Sequence, residues 1–335
     1  MSMGSRILVT GANGTIGRAF LSILSQSKSH KVKAQVRNKR QTRASIGDVI
    51  DLTKIELLEA DFTMCLDQDY DKLVKDTDTV IHAGGLVHNP NASYQEFDVV
   101  NTRATLALAQ ACDRANVANF IFLSTAGVYG NGPFINCDEN FPLNPITPYA
   151  SSKAACERVL ADFADKFSKL LVFRLGLVYG PGDRGNVLAL IKEVKNNRYL
   201  HIGKGDTQKS MIYSEDAAKI LLDSLKVSVS GFNIFNLANP NPVSIKELTE
   251  EIASILKTNK KIQSLPEPLI SLGVKAAQAL LKEKSPVSLD QLKKLTTTTT
   301  LSCEKLLKLS PFTPETTLLE GLTKEIDWAK EQNLL

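Results

Sequence analysis

Cysteine and histidine are scarce in this sequence, and their positions exclude two classes of protein. Five cysteines occur among 335 residues, an odd number, and none stands in a CxxC pair. This pattern fits neither a disulfide framework nor a zinc site, and it is typical of a reducing compartment. The four histidines lack metal-ligand spacing as well. We therefore predict a cytoplasmic protein without a metal centre.

Long apolar runs and a strong charge of one sign are also lacking. No window of 18 apolar residues occurs, so we expect no transmembrane helix. Lysine and arginine number 40 against 36 aspartates and glutamates, and the net charge of +4 is spread along the chain. A nucleic-acid-binding protein would concentrate its basic residues on one face. We expect a small-molecule substrate, and neither nucleic acid nor a membrane as a partner.

The first half of the chain alternates short β-rich runs with amphipathic stretches. This alternation predicts an α/β fold with a doubly wound parallel sheet. The β-rich runs are almost continuously apolar, which is typical of strands buried on both faces. The predicted strands are residues 6–10, 31–36, 55–59, 79–82, 119–124 and 170–175, and the predicted helices are residues 15–25, 70–75, 94–114 and 149–167.

The alternation weakens after about residue 180. We predict a dinucleotide-binding domain over residues 1–180, to which segments around 206–240 return, and a smaller, mostly helical substrate lobe over residues 181–335. The lobe includes a proline-bearing stretch at 266–286, and the threonine run 296–300 is expected to be an exposed strand or extended loop. Helical patterns occur at residues 186–196, 215–227, 244–256 and 315–331, and a strand at 232–236 is expected to join the main sheet.

A glycine motif follows the first predicted strand and opens the first predicted helix. Residues 11–17 read GANGTIG, a GxxGxxG spacing. Gly11 permits a tight turn, Gly14 lets a pyrophosphate approach the backbone, and Gly17 lets the helix pack close to the strand. The free N–H groups of the helix N-terminus then face the anion. The motif predicts dinucleotide binding by Gly11, Asn13, Gly14, Thr15, Ile16 and Gly17.

The end of the second predicted strand indicates which dinucleotide is bound. NAD enzymes usually place a carboxylate there for the ribose 2′-hydroxyl. This chain has VRNKR at residues 36–40, without an acid, and Arg37 and Arg40 could pair with a 2′-phosphate. We therefore predict NADP, with a solvated basic loop as the alternative interpretation of the arginines. Further expected cofactor contacts after the third and fourth strands are Asp61, Phe62, Ala83 and Gly84.

A candidate catalytic pair stands at the start of a later helix. Tyr149 and Lys153 form a YxxxK pattern, whose spacing puts both side chains on one helix face. An ordinary tyrosine, with a pKa of about 10, is a poor base at neutral pH, and a nearby ammonium would lower that pKa by stabilising the phenolate. Ser124 and Thr125 end the fifth strand at the edge where such sheets bind ligands. A hydroxyl there is expected to hydrogen-bond a substrate oxygen.

These motifs together resemble the extended short-chain dehydrogenase/reductase family, which has a Rossmann-type fold. The resemblance covers residues 6–260 and rests on GANGTIG, VVNTRAT, FIFLSTAGVYG, PYASSK and FRLGLVYGPGD. It implies that Thr125, Tyr149 and Lys153 carry catalysis with Ser124 close by. It also implies that Asn101 holds the helix after the fourth strand, and that Tyr149 and Lys153 lie at the nicotinamide end of the cofactor, where Lys153 bonds the ribose.

The resemblance also narrows the reaction. Ala126 and Gly127 stand where sugar-nucleotide 4,6-dehydratases carry an acid pair, so the groups for elimination are missing. What remains is hydride chemistry at one carbinol, expected at C4 of a nucleotide-activated sugar, by 4-epimerisation or by reduction and oxidation. Lys209 stands where the family binds the substrate diphosphate, with a surface lysine as the alternative. Asn186 is a second expected substrate contact.

One departure from the family pattern keeps other functions open. Many sugar-nucleotide epimerases carry an asparagine where Leu177 follows Arg174 by three residues. This makes a reductase of the UDP-N-acetylquinovosamine-forming type, or another carbonyl reductase, more competitive. A hydroxysteroid or dihydroflavonol-type reductase with an apolar pocket is the main alternative to a sugar-nucleotide enzyme. A regulator that senses NADP without turnover is a second alternative, although such proteins generally lose the tyrosine or the lysine.

The resemblance further implies a homodimer, paired through helix 103–114 and the helix after Tyr149.

Overall fold

The computed structural model describes residues 5–335 except 48, 88, 90–91, 259–261, 267, 269 and 271–295. The proline-bearing stretch 266–286 of the predicted lobe therefore lies almost entirely outside the described residues. Within the described ranges, none of the helices has both the length and the apolar character needed to cross a bilayer.

Among the described residues, seven parallel strands form the central sheet, and eight further strands are short. The strands are β1 (Arg6–Thr10), β2 (Lys31–Val36), β3 (Ile55–Glu59), β4 (Thr79–His82), β5 (Asn119–Thr125), β6 (Phe134–Cys137), β7 (Lys169–Leu175), β8 (Leu177–Tyr179), β9 (His201–Ile202), β10 (Gln208–Lys209), β11 (Met211–Tyr213), β12 (Gly231–Leu237), β13 (Val243–Ser244), β14 (Ser264–Leu265) and β15 (Thr299–Leu301). The central sheet has the order β12-β7-β5-β4-β1-β2-β3. The predicted doubly wound parallel sheet is thus confirmed, and the strand predicted at 232–236 joins it beside β7.

Helices cover both faces of this sheet. They are α1 (Thr15–Gln26), α2 (Lys39–Ile46), α3 (Asp67–Val74), α4 (Tyr94–Phe97), α5 (Ala104–Arg114), α6 (Pro148–Ala161), α7 (Asn186–Lys195), α8 (Ser214–Ser224), α9 (Ile245–Ile255), α10 (Glu304–Leu309) and α11 (Leu318–Glu331). A wide π-helical turn, Asp98–Arg103, joins α4 to α5 in the stretch predicted as one helix. The helix predicted at 149–167 ends at Ala161, six residues earlier than expected.

The alternation of side chains along each strand divides the core into two layers. Ile7 and Val9 pack with Phe20 of α1 on one face of the sheet. Leu8, between them in sequence, packs with Leu108 of α5 on the other face. All five side chains are at most 2% exposed. This period of two explains why the strands, buried on both faces, are continuously apolar in sequence.

The strand order reverses between β1 and β4, and this switch point positions the candidate site. Neighbouring strands there lead into helices on opposite faces, which leaves a crevice at their carboxyl ends. The loops after β1 and β4 meet in it: a Cβ on Gly11 would lie 2.5 Å from the Cα of Gly84. Gly11 also has a φ of +62°. Glycine is therefore required at this position for two reasons, the close approach to Gly84 and the positive φ.

Short strands organise the C-terminal part of the chain, and apart from the threonine run the sequence patterns did not predict them. β13, β10, β15 and β6 form a second sheet, and two further pairs are β11 with β8 and β14 with β9. The threonine run supplies β15, as one of the two structures expected for it, but the predicted exposure is wrong. Thr300 is buried and accepts a hydrogen bond from the Asn136 amide at 2.9 Å. Pairing on both sides, with β10 and β6, accounts for its burial.

Candidate active site

Three consecutive residues at the carboxyl end of β5 each bind a side chain of α6. The three α6 residues are spaced four apart, so they lie along one helix face. Each contact joins the end of β5 to a different turn of the helix. The pairs are Thr125 with Tyr149, Leu123 with Lys153 and Ser124 with Glu157.

The Tyr149 phenol lies at the first of these contacts and hydrogen-bonds the Thr125 hydroxyl. α6 begins directly before it, because Thr147 caps the helix through Ala150 N at 3.1 Å and Pro148 occupies the first turn. Burial raises the pKa of Tyr149 to about 12, although the Thr125 bond acts to lower it. The sequence argument predicted a lowered pKa, so in this structure the direction is the opposite.

The Lys153 ammonium has partners of its own in this structure. Its ammonium donates to the Leu123 carbonyl oxygen at 2.8 Å and lies 4.5 Å from the centroid of the Phe122 ring. Burial lowers the pKa of Lys153, partly offset by Cys156 and by the Glu157 carboxylate. The lysine also borders the loop after β4, since a Cβ on Gly85 would lie 3.7 Å from its Nζ. Lys153 therefore stands between the tyrosine helix and the expected path of the cofactor.

Ser124 has a different partner from its neighbour Thr125. Its hydroxyl is buried and donates to Glu157 Oε1 at 2.5 Å. Glu157 in turn forms a buried ion pair with Arg174, at 2.7 Å between Nη2 and Oε2. In this structure the Ser124 hydroxyl is thus engaged by the ion pair, and its contact with a substrate oxygen stays a prediction. Sequence reasoning missed Glu157, although it extends the YxxxK pattern by one further turn.

The glycine-rich loop fits a dinucleotide. The Gly14 amide donates to the Gly11 carbonyl at 2.9 Å, and a Cβ on Gly17 would collide with that same oxygen. Gly14 is the N-cap of α1 and provides no side-chain cap, so the first amides of the helix, those of Thr15 and Ile16, can face an anion. Gln35 of β2, which the sequence analysis did not single out, accepts from the Gly11 amide at 2.9 Å. These contacts hold the loop in the shape that phosphate binding needs.

Arg18 is a second residue that sequence reasoning missed. Its Nε donates to the Asn13 carbonyl at 3.0 Å and its Nη2 to Asn13 Oδ1 at 2.9 Å. The Ser45 hydroxyl donates to the same Oδ1 at 3.2 Å. Burial and the positive charge of Arg184 lower the pKa of Arg18 to about 10. Two guanidinium groups therefore approach each other beside the glycine loop, an arrangement that an anion would stabilise.

The basic segment after β2 lies at the surface. Arg37 and Arg40 are exposed, and Asn38 between them caps α2 through Gln41 N at 2.8 Å. The Glu59 carboxylate, at the end of β3, accepts from the Lys39 amide at 2.8 Å. Both arginine side chains are thus available to a ligand.

The predicted contacts after β3 and β4 lie near one another. Phe62 is buried, and its Cε2 is 2.9 Å from where a Cβ on Gly84 would stand. Asp61 Oδ1 accepts from Thr63 N at 3.0 Å and from the Thr63 hydroxyl at 2.8 Å. Ala83, between β4 and Gly84, is half-buried. Gly84 therefore packs closely against the Phe62 ring.

Asn101 lies in the π-helical turn and joins the β4 loop to α6. Its Oδ1 accepts from Leu86 N at 2.7 Å, and its Nδ2 donates to Leu86 O at 3.1 Å and to Ser152 Oγ at 2.9 Å. Ser152 directly precedes Lys153. Wide helical turns of this kind are frequent at functional sites because they redirect side chains.

The two predicted substrate contacts lie in the C-terminal part. The Lys209 ammonium donates to Thr297 O at 2.7 Å and to Thr299 Oγ1 at 3.2 Å. Asn186 is exposed as the first residue of α7, after a turn that Asp183 fixes through Gly185 N at 2.9 Å. The structure thus engages Lys209 with the threonine strand, and its contact with a diphosphate stays a prediction.

A glycine loop at the switch point, facing a helix that carries tyrosine and lysine beside a strand-end threonine, defines a nicotinamide-dependent enzyme of the extended short-chain class. The family model described as the NAD dependent epimerase/dehydratase family matches residues 7–238. The chain belongs to this family.

Individual relatives are similar along most of their length. The N-acetyl-alpha-D-glucosaminyl-diphospho-ditrans,octacis-undecaprenol 4-epimerase of Escherichia coli O157:H7 is 28% identical over 340 residues, which cover 97% of this chain and 96% of that protein. The UDP-glucose 4-epimerase of Vibrio cholerae is 26% identical over 282 residues, 80% of each chain. The solved UDP-glucuronic acid 4-epimerase of Bacillus cereus, in complex with NAD, shares the fold with a TM-score of 0.78 at 21% identity, over 98% of this chain and 99% of that one.

Proposed function

We propose that this enzyme is a 4-epimerase that acts on a nucleotide-activated sugar. The observation that carries the proposal is the pairing of Thr125 with Tyr149 beside Lys153, in a chain that aligns almost end to end with a 4-epimerase. The absence of acids at Ala126 and Gly127 supports hydride chemistry over elimination. A 4-keto reductase using the same groups is the second candidate, supported by Leu177 in place of the asparagine of many epimerases.

The chain's own residues supply proton transfer and orientation. A bound nicotinamide cofactor would supply the hydride acceptor and donor that this reaction needs at C4 of the sugar. Tyr149, as phenolate, takes the proton of the C4 hydroxyl while the C–H bond breaks, and it gives the proton back in the second half-reaction. The Thr125 hydroxyl orients the C4 oxygen, and Lys153 bonds the nicotinamide ribose and favours the phenolate by its charge.

For the cofactor we propose NADP, since Arg37 and Arg40 are exposed where a 2′-phosphate would lie and residues 36–40 contain no acid. NAD is the alternative, because the B. cereus 4-epimerase was solved with NAD. The predicted contacts of Asp61, Phe62 and Ala83 with the cofactor belong to the same proposal. Denaturing the purified protein and identifying the released dinucleotide by mass spectrometry tests the choice.

The group that carries the sugar has two candidates. A nucleoside diphosphate agrees with the V. cholerae relative, whose name specifies UDP-glucose. A polyprenyl diphosphate agrees with the E. coli relative, whose name specifies a sugar on undecaprenyl diphosphate. Apolar side chains exposed on β6 and before α6 agree with this second carrier, since Ile135 is 73% exposed and Ile146 49% exposed, and the nucleotide-activated sugar stays the leading proposal. We propose Lys209 and Asn186 as diphosphate contacts for either carrier.

Assembly and location remain part of the proposal. We propose a cytoplasmic homodimer paired through α5 and α6, with the chain's C-terminal part, residues 181–335, forming most of the substrate lobe. Light scattering of the full chain tests the dimer: twice the chain mass of 36.6 kDa supports it, and a single chain mass contradicts it.

A substrate panel tests the reaction. The full chain is incubated with UDP-glucose, UDP-N-acetylglucosamine, UDP-glucuronic acid and a polyprenyl-diphosphate-linked N-acetylglucosamine, each with added NADP⁺. A 4-keto nucleotide sugar, a steroid and a dihydroflavonol are each incubated with NADPH. A 4-epimerase produces the C4 epimer without net cofactor consumption, detected by proton NMR. Stoichiometric NADPH oxidation with a keto substrate would indicate the reductase instead, and turnover of steroids or dihydroflavonols alone would indicate the apolar alternative. The matched control is Tyr149→Phe, which should be inactive. A native chain that binds NADPH but turns over none of these substrates would favour an NADP sensor.

A further inference from the structure

A buried ion pair lies behind the tyrosine and lysine, and the proposed reaction does not use it directly. Glu157 and Arg174 are each 4% exposed, and Arg174 Nε donates to both carboxylate oxygens, at 3.2 and 3.1 Å, in addition to the Nη2 contact. Replacing such a pair by apolar residues is often neutral or stabilising, because desolvation of the two charges offsets their attraction. The position of the ion pair relative to the reacting groups therefore says more about its role than its contribution to protein stability does.

Arg174 connects the carboxyl ends of three neighbouring strands. It belongs to β7, and its Nη1 donates to the Tyr129 phenol oxygen at 3.0 Å, in the turn that follows β5. The Tyr129 hydroxyl donates to Asn236 Oδ1 at 2.7 Å, on β12. A second bond from Nη1 reaches the Glu139 carbonyl at 3.0 Å. The guanidinium is thus fixed by the sheet edge itself.

Glu157 connects that edge to the catalytic helix. It accepts from Ser124, the residue before Thr125, and it lies one helical turn after Lys153. Its negative charge acts on Lys153 and favours the ammonium form. The positive charge of Arg174 opposes that effect, because the two groups are in contact. The placement of Tyr149 and Lys153 on α6, and the electrostatic potential around them, both depend on this ion pair.

We propose that Glu157 and Arg174 are positioning residues: they fix α6 against the end of β5, and their opposite charges balance the electrostatic potential in which Tyr149 exchanges its proton. The inference rests on the proposed function only in taking Tyr149 as the proton-transferring group. Neither residue contacts the substrate in this account. Both act through Lys153 and through the contacts of Ser124 and Thr125.

Removing one charge at a time tests the proposal. Glu157→Gln leaves an extra positive charge and should lower the titration midpoint of Tyr149, whereas Arg174→Gln leaves an extra negative charge and should raise it, each by on the order of one pH unit. The readout is the ultraviolet absorbance of the phenolate, measured against the same variant carrying Tyr149→Phe. The control is Arg158→Gln, an equal charge change on the exposed side of α6, which should cause no shift because solvent screens it.

Two further variants separate charge from folding. Arg174→Lys keeps the charge but loses the planar fork, so the midpoint should stay near that of the native chain while kcat falls several-fold at unchanged KM. The double variant Glu157→Gln with Arg174→Gln removes both charges, and its midpoint should also return to near the native value. Midpoints that move in the same direction in both single variants, or that shift in Arg174→Lys or the double variant, overturn the proposal. The titration needs no substrate, so a failure of the proposed function appears separately, as a native chain that titrates normally but turns over none of the sugars.

Discussion

The ammonium of Lys153 is held by the carbonyl oxygen of Leu123, 2.8 Å away, although the lysine shares a helix face with Tyr149. A carbonyl at the end of β5 thus fixes the position of the lysine. Burial lowers the pKa of Lys153 and raises that of Tyr149 to about 12. The phenol is therefore protonated at neutral pH in this structure, and its ability to accept a proton increases as the pH rises.

The first prediction concerns this pH dependence. Because the phenolate fraction grows as the pH approaches a pKa of about 12 from below, the rate of the oxidising half-reaction should increase from pH 7 to pH 10. Lys153→Met should lower kcat by about 10²-fold or more and move the rise to higher pH, because it removes the nearby positive charge. Stopped-flow measurement of cofactor reduction gives both quantities. A rate that falls across this range would contradict the assigned role of Tyr149.

A second prediction separates backbone strain from close packing in the glycine loop. Gly11 and Gly203 have nearly the same φ, +62° and +64°, but a Cβ would strike the Gly84 backbone only at Gly11 and would meet nothing within 4 Å at Gly203. Gly203→Ala should therefore cost about 1 kcal/mol of unfolding free energy, the ordinary penalty for positive φ. Gly11→Ala should cost clearly more and abolish dinucleotide binding. Urea denaturation and cofactor titration check this, and equal costs at the two positions would count against the close approach of the two loops.

A third prediction tests the choice of cofactor at Arg37. Its guanidinium is exposed after β2, where the 2′-phosphate of NADP would lie. Arg37→Gln should raise the Kd for NADPH by about tenfold or more, the worth of a charge-assisted hydrogen bond, and leave the Kd for NADH unchanged. Quenching of intrinsic fluorescence measures both constants. Equal affinities in the native chain and the variant would contradict the NADP proposal.

A fourth prediction concerns Arg18, which should affect the binding of NADH and NADPH alike. Its guanidinium lies on Asn13 beside the N-terminus of α1, close enough to Arg184 to be affected by its charge. A phosphate of the dinucleotide backbone would stabilise the two cations, so Arg18→Gln should weaken NADH and NADPH to a similar degree, by several-fold. The matched control is Arg198→Gln, an exposed arginine after α7, which should bind both cofactors normally. A loss confined to NADPH would instead assign Arg18 to the 2′-phosphate.

The fifth prediction concerns a buried carboxyl in α11. Glu325 accepts from the Gly180 amide at 2.8 Å, and burial together with the Asp183 carboxylate raises its pKa well above the ordinary value. The folded chain holds this proton more tightly than the unfolded chain, so its contribution to stability is present below about pH 4.5 and is lost as the pH rises through the folded-state pKa.

Glu325→Gln should remove this loss of stability at higher pH. Measured by thermal unfolding, the variant should keep a flatter Tm between pH 5 and pH 9 than the native chain. Glu331→Gln, at the exposed end of the same helix, serves as the control and should follow the native curve. A variant with the native pH dependence would show that Glu325 is not the group responsible.

The extent of sequence-based prediction differs between the sheet and the site. The seven central strands could be predicted because burial on both faces makes them continuously apolar, as at residues 120–123. The short strands such as β10 and β13 could not, because two residues are too few to show a period. The threonine run was expected to be an exposed strand or extended loop because threonine is β-branched, yet pairing between β10 and β6 buries Thr300.

Within the site, residue types were easier to predict than contacts. The spacing of Tyr149 and Lys153 and the glycine motif identified the catalytic helix and the phosphate loop. The partner of Lys153 is a main-chain carbonyl, which no side-chain pattern reveals. The buried ion pair joins Glu157 and Arg174 across two elements that are 17 residues apart in sequence, so only the fold brings them together.

The most direct test of the central claim follows the hydrogen at C4. A nucleotide sugar labelled with deuterium at C4 is incubated with the full chain in ordinary water, and the isolated epimer is analysed by NMR and mass spectrometry. Epimerisation by hydride removal and return at one carbon predicts that the deuterium stays at C4 of the inverted product, with no label in the solvent and none added from it. Loss of the label to water, or an unchanged configuration at C4 with every sugar tested, would contradict the account.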